Sequence, residues 1–150
     1  YNGNKEMKEL VFFGNLQSGC GSIFHSGDDL TGDAGGIDDG LDNEVITVDF
    51  GRIPSDINNV VFVLNSFQGQ DFADIPYAHI RLYEGTPQRV DEVLAKLDIA
   101  NDQAFSGKVS MVLGRFYKKD NDWKFQSIGE AVNDRDLEQT CQTVAKSYLD

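Results

Sequence analysis

The sequence predicts a mainly β domain with one terminal helix, and three observations carry that expectation. Short runs of β-branched and aromatic residues recur along the chain, most of them bounded by Gly, Pro, Asn or Asp. A polar stretch, KKDND (118–122), separates two apolar runs, VSMVLGRFY (109–117) and WKFQSIG (123–129), as in a β-hairpin. DRDLEQTCQTVAKSYL (134–149) is the clearest helix, its apolar residues repeating with helical spacing behind a capping residue.

Taken in order, LVFF (10–13) and SIFH (22–25) read as strands, and VITVDF (45–50) alternates Val45, Thr47 and Asp49 against Ile46, Val48 and Phe50. SIFH and VITVDF are expected to pair across the segment between them. NVVFVLNSF (59–67) is almost wholly apolar, as befits a strand buried on both faces or central in a sheet. YAHIRLYEG (77–85) alternates again. In RVDEVLAKLDI (89–99), Val90, Val93, Leu94 and Leu97 stand at i, i+3, i+4 and i+7, which is helical spacing. In the last segment Leu137, Cys141, Val144 and Tyr148 share a face, Asn133 or Asp134 is placed to cap the first turn, and Lys146 suits the last. This helix is expected to pack on a sheet. With 150 residues, 40% of them hydrophobic, the chain is long enough for a core of its own and reads as one domain over 1–150.

The charge is 13 basic against 25 acidic residues, net −12. That balance argues against nucleic acid and anionic membrane surfaces as partners. Seven of the acids and five glycines lie in GDDLTGDAGGIDDGLDNE (27–44), which has no Lys or Arg, leaving 18 acids against 13 bases elsewhere. Gathering carboxylates in one loop costs like-charge repulsion, which a divalent cation removes. Oxygen donors without His or Cys suit Ca²⁺, and Mg²⁺ less well. The ordinary alternative is a solvated connector, and no EF-hand register fits these acids.

Other chemistry is sparse. Cys20 and Cys141 fit no zinc spacing and read as reduced thiols of a cytoplasmic protein. There is no run of 18 apolar residues, so no direct membrane insertion is expected. His25 and His79 read as packed or surface residues. GNLQSGCG (14–21) has phosphate-loop glycines but Cys20 where Lys belongs. Trp123 with Phe125, and Phe62 with Phe67, read as core and strand-pairing residues. Arg115, Lys118 and Lys119 read as a solvated basic hairpin end.

SIFHSGDDLTG, DNEVITVDFGRIP, IRLYEG and WKFQSIGEA together resemble the TerD family of tellurium-resistance and stress-response proteins, from about Ser22 to the final helix. The resemblance implies a β-sandwich of two antiparallel-rich sheets that binds two Ca²⁺ ions through the acidic loop. Matched by position, it implies Asp28, Asp29, Asp42 and Glu44 as ligands, with the Gly32 carbonyl. DAGGIDDGLD is longer than the family's usual run, and Asp38 and Asp39 are included as ligands ahead of Asp33. It also implies a strand, not a helix, at RVDEVLAKLDI. The family's upstream strands, with an Asp-x-Asp segment, have no counterpart before Tyr1, so the domain is read as N-terminally incomplete. Two functions compete. One is a calcium-dependent module that meets other stress-response proteins. The other is a divalent-metal enzyme acting on a phosphate-containing substrate, for which no base, nucleophile or phosphate-gripping cation stands out near the loop.

Overall fold

A computed structural model describes residues 1–26, 44–65, 78–86, 89–99 and 107–149. The described strands are β1 (Ile23–His25), β2 (Ile46–Val48), β3 (Asn59–Asn65), β4 (Ala78–Thr86), β5 (Arg89–Ile99), β6 (Ser110–Lys119) and β7 (Asp122–Val132), followed by a helix, α1 (Leu137–Ser147). The chain is thus mainly β, with antiparallel sheets and one C-terminal helix. β3, β6 and β7 form one sheet in the order β3-β6-β7, while β1 pairs with β2 and β4 with β5.

The β6–β7 hairpin follows from its turn residues. Asp120 and Asn121 both take positive φ, 53° and 66°, as a two-residue turn matched to strand twist requires, and Asp and Asn tolerate that region well. The strands run further into KKDND than the apolar pattern alone indicates, with Lys119 opposite Asp122. β6, not β3, is the central strand, and at Val112/Gly114 its register with β7 shifts across a bulge.

Alternation along β3 and β6 sends side chains to the two faces of this sheet. On one face Val112, Val144 and Leu149 form a buried cluster against which Val61, Val63, Ile128 and Val132 pack, so the apolar stripe of α1 lies on the sheet. Each such side chain contributes roughly 1.5–3 kcal/mol when fully buried. On the other face the Phe116 ring meets Phe50 at 4.8 Å, Phe125 at 5.1 Å and Phe62 at 5.7 Å, while Trp123 lies 5.6 Å from Phe50. Of these aromatics only Phe116 is buried; Phe62, Trp123 and Phe125 are half-buried residues of paired strands, with Phe125 directly opposite Phe116, and Phe50 is exposed. Phe67 lies outside the described residues.

α1 begins later than the capping pattern indicates. Asp136, not Asn133 or Asp134, is the N-cap, its carboxylate accepting from the Gln139 amide at 2.9 Å. The Asp134 carbonyl instead accepts from the Ser110 hydroxyl at 2.8 Å, and Asn65 Nδ2 donates to Ser110 Oγ at 2.7 Å and Thr140 Oγ1 at 3.2 Å. This buried network ties the helix start to β3 and β6.

At the other end of α1, the Tyr148 hydroxyl donates to Glu130 Oε2 at 2.6 Å. That bond first, then burial, pushes the Tyr148 hydroxyl up to about 12 from an ordinary 10.0. A raised acid pKa in the fold favours the neutral form, so this contribution to stability is fully present below pH 10 and is lost as pH climbs towards about 12. Tyr148→Phe is therefore expected to lose less stability than the parent between about pH 10 and 12 in denaturant titrations. Parallel losses in both proteins would contradict this.

One strand expectation changes, and one helical spacing is overridden. LVFF forms no strand: Phe12 and Asn15 exchange backbone bonds of 3.0 and 2.9 Å, closing a tight turn that Gly14 allows, since a Cβ there would stand 2.8 Å from the Phe12 ring. The helical spacing of RVDEVLAKLDI is overridden, because the segment is β5, paired with β4 from Ala78↔Ile99 to Thr86↔Arg89. The strand implied by the resemblance is the one found, and Val90, Val93 and Leu94 are exposed on it rather than gathered on a helix face.

Candidate functional site

The acidic segment is hung from the β1–β2 ladder. Ile23, Phe24 and His25 stand opposite Val48, Thr47 and Ile46, the antiparallel pairing expected from the two flanking runs. One step beyond, the Ser26 amide donates to the Val45 carbonyl at 2.9 Å and the Val45 amide donates to Ser26 Oγ at 2.8 Å. The two ends of the segment are thereby pinned side by side. β1 is held on its other edge as well, since His25 N donates to Leu16 O at 2.7 Å and Ser18 N to Ile23 O at 2.9 Å.

Of the sequence-derived ligands, Glu44 is described and exposed, next to the pinned pair. Asp28, Asp29, Gly32, Asp38, Asp39 and Asp42, and Asp33 with them, lie outside the described residues. Among the described residues no three His, Cys, Asp or Glu side chains gather as a metal site. His25 is buried at the foot of the stem, and His79 falls on β4. A cleft of about 650 Å³ adjoins the stem, with Glu44, His25 and Ile46 in its walls alongside β3 residues and the start of α1.

Two features were not legible as sites from the sequence. A turn closed by Gly21 N donating to Ser18 O at 2.9 Å, with Gly21 at φ 73°, folds the exposed Cys20 thiol back onto the Ser22 hydroxyl at 2.9 Å and the Ser18 hydroxyl at 3.4 Å. Burial works to raise this thiol, but the Ser18 and Ser22 hydrogen bonds outweigh it and hold it below the ordinary cysteine value. Cys141 is buried, and burial pushes its thiol up; both cysteines are free. The second feature is Arg115, which is no solvated hairpin-end cation but a buried side chain, 6% exposed. Lys118 is likewise committed, its ammonium 5.1 Å from the Trp123 ring centre.

Fold and stem together define a class: an antiparallel β domain in which a hydrogen-bonded strand pair brackets a sequence segment rich in Asp and Gly. The model of the TerD domain matches residues 2–143, and the chain belongs to the TerD domain family. It is 36% identical over 137 residues to stress response protein SCP2 of Bacillus subtilis (strain 168), covering 89% of this chain and 64% of that protein. It is 31% identical over 141 residues to tellurium resistance protein TerZ of Serratia marcescens, covering 94% and 67%, and 29% identical over 126 residues to TerD of the same organism, covering 81% and 60%. The chain therefore spans about six tenths to two thirds of the length of these relatives. The solved structure of the unknown-function protein SAV2460 superposes with a TM-score of 0.62 at 22% identity, over 86% of this chain and 68% of that one, and so shares the fold. These relatives are named for stress response and tellurium resistance, not for an enzymatic reaction. No helix among the described residues is long and apolar enough to cross a membrane.

Proposed function

We propose that the chain is a non-catalytic calcium-binding module of a cytoplasmic stress-response protein, in which Ca²⁺ orders the acidic loop for contact with a partner protein. The carrying observation is the pinned stem: a segment with seven acids and no base begins and ends at one hydrogen-bonded pair, Ser26 and Val45. Asp28 is two residues beyond that pair and Asp42 three before it, so chain length alone keeps both within about 7–11 Å of it. Glu44 adjoins it directly.

The donor set fits a hard cation. Residues 27–44 supply carboxylates and backbone carbonyls but no His or Cys, and five glycines let the backbone turn its carbonyls inward. Asp28, Asp29, Asp42 and Glu44 would hold the metal with the Gly32 carbonyl, with Asp38 and Asp39 beside them. Two ions, as the family resemblance implies, would offset four of the seven negative charges. The ion's chemistry is charge neutralisation without a reaction step, and the neutralised loop is what a partner would meet.

The reading is tested by melting the chain after chelator treatment, alone and with Ca²⁺ or Mg²⁺. A ligand bound to the folded state at a hundredfold excess over Kd adds about 2.7 kcal/mol. Calcium is expected to raise Tm by several degrees and magnesium much less. Equal curves for the stripped and calcium-loaded protein would overturn the proposal.

A further inference from the structure

We draw no further inference here: the strongest candidate, the largely apolar cleft of about 650 Å³ between β3 and the 7–13 segment beside the stem, is an open surface, and nothing among the described residues shows what covers it.

Discussion

Gly114→Val is expected to destabilise the fold by on the order of 3 kcal/mol and to lower Tm by roughly 10 °C. Gly114 is buried on the central strand at its bulge, paired with Phe62 on one side and Ser127 on the other. A Cβ there would stand 2.7 Å from Phe125 Cζ and 2.9 Å from the Gln126 carbonyl oxygen. Neither neighbour yields easily. The Phe125 ring is packed on Phe116, and Gln126 sits in the ladder with its side chain accepting from Arg115. By contrast, a Cβ on Gly3 meets only Asn58, at 3.5 Å, so Gly3→Ala serves as the control. Thermal melts read the outcome, and a parental Tm for Gly114→Val would contradict this account of the sheet.

Asp28→Ala and Glu44→Ala are each expected to weaken calcium binding by at least about tenfold, and the pair to abolish most of it. Two unit charges 4 Å apart interact by about 1 kcal/mol in bulk water and about 4 kcal/mol near a protein surface, and a divalent ion doubles either figure. The strands should survive the loss, because Glu44 is exposed and Ser26 and Val45 are joined by bonds that need neither carboxylate. Circular dichroism should show the parental β signal in both variants. Unchanged calcium affinity in both would remove these two residues from the site.

Local signals were read well from the sequence. Asp120-Asn121 is a hairpin turn because those residue types tolerate positive φ, and that preference is visible in KKDND. The face of α1 was legible in Cys141 and Val144, both buried, because helical spacing needs only one element. Spacing failed where a partner decides. Val90, Val93 and Leu94 suit a helix in isolation, but pairing with β4 extends them, and only the family resemblance carried that information. Arg115 failed for a similar reason. Its neighbours Lys118 and Lys119 suggested a solvated end, while the amides that enclose it come from Asn59, 56 residues earlier, and Gln126, 11 later. The stem of the candidate site was legible from the alternation of VITVDF and its pairing with SIFH. The arrangement of Asp28 to Asp42 was legible as composition only, since a glycine-rich loop has no periodicity to read.

The central claim is that the pinned acidic loop is a calcium site, and calorimetric titration of the chelator-stripped 150-residue chain tests it most directly. The account predicts saturable Ca²⁺ binding with two ions per chain, in or below the roughly 10⁻⁷–10⁻⁵ M range of sensor sites, and much weaker binding of Mg²⁺. No saturable heat with calcium up to the millimolar range would contradict it, and the seven acids would then be a solvated connector between β1 and β2.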